Sequence, residues 1–276
     1  MLVSVRSVPL THRPLDIRPF SASLKFARKL TTEPTKNNLE EAKPLYGTVA
    51  SHRSYIFLHA SEPPSEFPAR MSTAIQRALM LRTLKWGGIV NFSWHGPKSS
   101  SSDDSTSATA FSTAGGRLEI PKISLDNVDE IEVKLRKHSE GPLVKSTDEE
   151  IQLYVCTHGA RDCRCGDMGS RVVKALREEV QKRLEADPHG IVSRVKVGEV
   201  GHVGGHQYAA NLLVLPHGEW LGLLTPEDIP TVLDKILAHT PAPFDASQPP
   251  LYPERWRGRM GLSKDEQSEL YMLHAP

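Results

Sequence analysis

VKVGEVGHVGGHQYAANLLVLPHGEWLGLLTPEDIPTVLDKIL, residues 195–237, decides the fold. Its first residues close the Val-rich, strand-like run IVSRVKVGEV (191–200), and AANLLVL (209–215) is a second apolar run of strand length. Pro216-His217-Gly218 reads as a turn, EWLGLL (219–224) as the hairpin partner, and TPEDIPTVLDKILAH (225–239) as a helix capped by Thr225. Between the first two strands lies GHVGGH (201–206), with His202 and His206 four residues apart. Helical geometry would put both imidazoles on one face. The glycines between them argue for a loop instead, since each costs a helix about 1 kcal/mol relative to alanine.

Upstream, IQLYVC (151–156) is a strand that ends on a cysteine, followed by the loop THGARDCRCGDMG (157–169). SRVVKALREEVQKRL (170–184) then reads as an amphipathic helix with Val172, Leu176, Val180 and Leu184 on one stripe. The order strand-helix-strand, strand-strand-helix is that of the thioredoxin fold. The preceding region follows the same plan without a cysteine: RSYIFLHA (53–60) as strand, STAIQRALMLRTLKW (72–86) as helix capped by Ser72 or Thr73, and GIVNFSW (88–94) as strand. Strand-like RLEI (117–120) and helix-like LDNVDEIEVKLRKH (125–138) complete it, after SSSSDDSTSATAFSTAGG (99–116), whose low complexity predicts disorder. The reading is therefore α/β, with two thioredoxin-like domains, the first degenerate (45–145) and the second (146–239) bearing the site, and a tail (240–276). In the tail, Ser263 and Glu266 fit a capping box for a last short helix, and Arg255, Arg257 and Arg259 read as a solvated basic edge with Trp256 packed inward.

All three cysteines, Cys156, Cys163 and Cys165, fall within ten residues. An odd, clustered set is no secreted disulfide framework; it reads as a metal or redox site in a reducing compartment. Cys156 stands at the end of the first strand of its unit, Cys165 shortly before the helix, and His202 and His206 before the third strand. In a parallel strand-helix-strand unit these loops meet at one end of the sheet, so two thiolates and two imidazoles converge. Zinc accepts that set tetrahedrally. So does one iron-bearing arrangement, in which imidazoles replace two thiolates of a 2Fe–2S cluster. Gly204 and Gly205 leave room for close approach to such a group. His158 reads as a solvated loop histidine, and Asp162 and Arg164 as a local pair or a contact for a partner.

The 195–237 stretch resembles the closing half of thioredoxin-like 2Fe–2S ferredoxins, which carry a Cys-x3-Cys before the third strand. Here His202 and His206 occupy those places, and CTHGARDCRCG stands upstream. That combination is similar to the sucrase/ferredoxin-like family, and the basic leader and WRGRMGL tail resemble its fungal mitochondrial branch. The resemblance implies a 2Fe–2S cluster held by Cys156, Cys165, His202 and His206, with Cys163 outside the motif. It also implies an electron carrier rather than a substrate-specific enzyme, serving a redox partner protein. Two other functions stay open on the residues alone: thiol–disulfide exchange through Cys163 and Cys165, and a zinc-stabilised interaction module.

Composition bounds the remainder. A net charge of +1 over 276 residues gives no bulk attraction to nucleic acid. No apolar run approaches the roughly 18 residues of a membrane span. Dinucleotide-binding, P-loop and nucleophile-elbow glycine motifs are missing. Residues 1–32 carry six Arg or Lys, seven Ser or Thr and only Asp16 as an acid, the composition of a mitochondrial presequence, with a polar linker (31–44) behind it.

Overall fold

The computed structural model describes residues 44–97, 105–141 and 150–275. The expected presequence lies outside the described residues. Among those described, nine strands form one mixed sheet in the order β4-β3-β1-β2-β6-β5-β7-β8-β9. The first half comprises β1 (Ser54–His59), α1 (Ala74–Thr83), β2 (Gly88–Trp94), β3 (Thr106–Ser112), β4 (Gly116–Ile123) and α2 (Val128–Glu140). The second comprises β5 (Ile151–Cys156), α3 (Cys163–Ala186), β6 (Val195–Val200), β7 (Leu212–Leu215), β8 (Glu219–Leu221) and α4 (Ile229–Leu237). In each half the first two strands are parallel, the third runs antiparallel beside the first, and the fourth pairs antiparallel with the third. That is the thioredoxin order, present twice. The halves join where β2 meets β6 antiparallel, at Ser93↔Val200 and Trp94↔Glu199.

Side-chain alternation along the strands builds the core in layers. Ile56 and Leu58 of β1 pack with Leu79 of α1 and Leu135 of α2, whereas Tyr55 and Phe57 face the other layer. On β5, Leu153 and Val155 join Val172 and Leu176 of α3, while Tyr154 and Cys156 share the second layer with Tyr55 and Phe57. The Phe57 and Tyr154 rings stack at 4.1 Å and tie the two halves together. Each fully buried aliphatic side chain contributes roughly 1.5–3 kcal/mol. The helix caps follow the sequence reading. Thr73 accepts the Gln76 N–H of α1 at 3.1 Å, and Thr225 forms a capping box with Asp228.

Two regions depart from that reading. Disorder is expected across 99–116, but β3 runs from Thr106 to Ser112 between β1 and β4. The Ser/Asp bias sits at the start of the segment. Further along, Ala108 and Ala110 are small enough to be fully buried at the sheet, and Phe111 anchors the end. In the tail, β9 (Trp256–Arg259) adds to β8 and α5 (Lys264–Leu273) follows, capped by Ser263 and Glu266 as expected. Trp256 is packed inward, but Arg257 and Arg259 are buried rather than solvated. Arg259 pairs with the buried Glu219 and donates to the carbonyls of Asp245, Gln248 and Pro249 at 2.7–3.0 Å. A strand that runs along the sheet edge under flanking chain turns a basic stripe into core.

Candidate metal centre

Helix α3 begins earlier than the periodicity suggests, at Cys163 rather than near residue 170. Asp162 caps it, accepting the Arg164 N–H at 3.0 Å. Gly166 and Gly169 disguise the helix in the sequence, and contact explains them. A Cβ on Gly169 would stand 2.1 Å from the Cys156 carbonyl oxygen. Only a glycine lets the first turns of α3 lie against the end of β5. This close approach carries Cys165, buried in the first turn, to Cys156. Cys163 lies two residues earlier on the helix and is exposed.

His202 arrives from the loop after β6. The Gly201 N–H donates to the Phe92 carbonyl at 2.9 Å, and the Asn91 side chain donates to the carbonyls of Gly201 and His202 at 3.2 and 3.3 Å. The His202 N–H donates to Nδ1 of His158 at 3.3 Å, and His158 Nε2 lies 3.0 Å from the Pro68 carbonyl. His158 is therefore a buried bracket with its proton on Nε2, not the solvated loop residue expected. Gly204 and Gly205 take the left-handed conformation, φ +83° and +68°, which turns the chain back toward His206.

Cys156, Cys165 and His202 present their ligand atoms within 4.8 Å of one another. His202 Nδ1 is buried with no hydrogen-bond partner. His206 stands at the rim: its ring is stacked 5.7 Å from that of His202, and its Nδ1 lies 3.7 Å from the Asp162 carboxylate. The Arg164 guanidinium, bonded to Asp162, holds that carboxyl well below the ordinary range. The two buried thiols divide one proton. The hydrogen bond from Cys165 stabilises the Cys156 thiolate and lowers its pKa against the opposing effect of burial; donating that bond, with burial, raises Cys165. Behind the loop lies Arg257, whose guanidinium donates to Asn211, Gly204 and both oxygens of Thr48. So the structure gathers three of the four expected ligands and leaves the fourth alongside. It adds His158, Asn91 and Arg257 as supports that spacing within the cysteine motif does not reveal.

A thioredoxin-ordered half thus gathers two buried thiols and an imidazole at its strand ends, a group that could hold a metal ion. Residues 45–258 match the sucrase/ferredoxin-like family, and the chain belongs to it. Altered inheritance of mitochondria protein 32 of Meyerozyma guilliermondii is 41% identical over 94 residues, 33% of this chain and 30% of that relative. Actin patches distal protein 1 of Saccharomyces cerevisiae is 29% identical over 108 residues, 35% of this chain and 32% of the relative. The matched stretches thus span about a third of these relatives' lengths. Among solved structures, a thioredoxin-like [2Fe-2S] ferredoxin from Aquifex aeolicus is 26% identical over 32% of this chain and 81% of that one, with a TM-score of 0.27. Among the described residues, no helix is long and apolar enough to cross a membrane.

Proposed function

We propose that this chain is a mitochondrial electron-transfer protein carrying a 2Fe–2S cluster on Cys156, Cys165, His202 and His206. The observation that carries the reading is two buried thiols beside an imidazole whose buried Nδ1 has no partner. A buried unsatisfied nitrogen costs about 1–3 kcal/mol, and a bound metal would satisfy this one. Thiolate and imidazole are the donors that iron–sulfur and zinc sites use. His206 fits as the fourth ligand: with Nδ1 toward Asp162 its Nε2 is left for metal, the usual arrangement of a ligating histidine. The mitochondrial assignment is supported by the basic leader and by the name of the Meyerozyma guilliermondii relative.

When bound, such a cluster takes up and releases one electron. The protein's part is electrostatic. Two neutral imidazoles in place of thiolates remove two negative charges, so the added electron is less costly. That raises the potential to about −150 to +300 mV, from about −400 mV with four cysteines. Burial of Cys156 and Cys165 keeps water from the thiolates. Exchange through Cys163 and Cys165 gains no support, because the two lie two residues apart on a helix, one exposed and one buried.

The test is the visible spectrum and the metal and sulfide content of the purified protein. Two irons and two sulfides per chain are expected; a colourless protein holding zinc would refute the reading. His202→Cys and His206→Cys should each keep the colour and lower the midpoint by on the order of 100 mV. Cys163→Ser should leave both unchanged.

A further inference from the structure

A cavity of about 420 Å³ opens beside the 201–205 loop, with His202 and His158 in its lining. Its walls come from both halves: the 67–71 segment and β2 from the first, the 201–205 loop, β8 and β9 from the second. Three arginines line it, Arg70, Arg161 and Arg257, and no aspartate or glutamate does. Phe67, Phe92 and Trp220 supply an apolar wall. The volume lies within the range of small-molecule sites, about 300–1,000 Å³.

Arg257 is the decisive residue. It is 2% exposed, and among the described residues no carboxylate pairs with it. Arg259, two residues along the same strand and equally buried, pairs with Glu219. The same stretch of chain thus pairs one buried guanidinium with a carboxylate and leaves its neighbour without one, in a cavity wall, with the Tyr208 and Trp220 rings and the Cys156 and Cys165 thiols as its nearby electrostatic support. A buried charge is costly unless something compensates it. Burial lowers the Arg257 pKa only to about 10, so the side chain stays charged at neutral pH. Its four hydrogen bonds use four of its five N–H groups, leaving one on Nη2. Arg70 and Arg161 are exposed and extend the positive lining outward.

We propose that this cavity binds a small organic carboxylate, its head held by Arg257 with Arg70 and Arg161 and its apolar body against Phe67, Phe92 and Trp220. The aromatic wall favours this over a bare inorganic anion, which has no surface to bury there. The inference does not depend on the metal reading, although the two sites adjoin: His202 lines the cavity, and Arg257 donates to the Gly204 carbonyl at 3.3 Å, within the loop that carries both histidines.

Calorimetric titration of the full chain tests it, with benzoate as probe, benzyl alcohol as its neutral counterpart and inorganic phosphate as the anion without a body, all at fixed ionic strength. Benzoate should bind one per chain, at least about tenfold more tightly than either comparison probe. The double variant Arg70→Glu/Arg161→Glu changes only exposed side chains. It should keep the thermal transition and weaken benzoate about tenfold or more. Met71→Trp, which fills the cavity from its rim, should abolish binding while the protein remains folded. Absence of saturable benzoate binding overturns the proposal, as does affinity unmoved by both variants. Phosphate binding as tightly as benzoate overturns the assigned ligand class.

Discussion

The halves built on β1–α2 and β5–α4 follow the same path, yet the corner after the first strand is made differently in each. In the second half β5 ends on Cys156 and the short loop 157–162 leads straight into α3, so Cys165 is delivered beside it. In the first half β1 ends on His59 and the chain wanders through residues 60–73 before α1. That longer loop does not build a site of its own. It crosses to the other half, where the Pro68 carbonyl meets His158 and the Phe67 ring lies edge-on to it at 5.7 Å. Asn91 and Phe92 of β2 hold the His202 loop in the same way. A duplicated topology has divided its labour: one copy presents the two buried thiols and His202, and the other fixes the loop that brings His202 in.

The sharpest way to break this comparison is to substitute matching strand ends. Cys156→Ser or Cys165→Ser should reduce bound iron to background. His59→Ala, at the corresponding end of the first half, should leave iron content at the wild-type level. Iron retained by both cysteine variants would move the chemistry elsewhere; iron lost with His59→Ala would end the division of labour.

Stability should divide differently, because the tail has joined the second half. Arg259→Met leaves Glu219 buried and unpaired. Removing one partner of a buried pair costs about 3–5 kcal/mol, read as the shift in a urea transition. Arg82→Met, which breaks the exposed Arg82–Asp129 pair of the first half, should shift it far less. Equal losses would mean that the edge strand β9 is not part of the core.

Much of this arrangement is legible in the sequence, and the illegible parts have physical reasons. Apolar runs of strand length and one helical stripe reveal both thioredoxin paths, because burial on a sheet imposes those periods. The Cys156, Cys165 and His202 grouping follows from their places at strand ends. The early start of α3 was hidden because Gly169 serves a contact with the end of β5 and Gly166 one with Gly159 of the following loop, while both oppose helix locally. Strand β3 was hidden because a buried alanine looks like low complexity when it follows a serine run. His158, Asn91 and Arg257 escaped because their roles are defined by partners 44, 110 and 46 residues away. The one available signal for Arg257 was its strand alternation beside Trp256 and Gly258, and three arginines in five residues obscured it.

In acid the two halves should behave alike. Burial lowers His52, just before β1, and His217, in the β7–β8 turn, from 6.5 to about 4. His52 packs against Tyr55 and Trp220; His217 packs against Phe244 and His239 and feels Arg259. Both are neutral in the folded chain, while the unfolded chain takes up protons near pH 6.5. Stability is therefore full above about pH 6.5 and falls as pH drops toward 4. Each histidine accounts for roughly 2 kcal/mol between pH 7 and pH 5. Urea transitions of His52→Asn and His217→Asn at those two pH values should each show a correspondingly smaller loss than wild type. An unchanged loss in either variant would show that its imidazole is not held neutral.

The smallest effect tests the support role most directly. Asn91 stands in the cysteine-free half and touches no ligand side chain, yet its amide donates to the Gly201 and His202 carbonyls and to the Tyr55 hydroxyl. Its own oxygen accepts the Phe92 N–H at 2.8 Å. Asn91→Ala should cost about 1–2 kcal/mol, the worth of one or two satisfied buried bonds. Asn91→Asp keeps the acceptor for Phe92 but replaces the donors with a carboxylate oxygen that repels the Gly201 and His202 carbonyls. If the half acts by fixing the His202 loop, the Asp variant should lose its iron to a chelator as fast as the Ala variant, and both faster than wild type. Should Asp match wild type in that rate while Ala does not, Asn91 holds β2 rather than the loop, and the first half supports the fold without supporting the site.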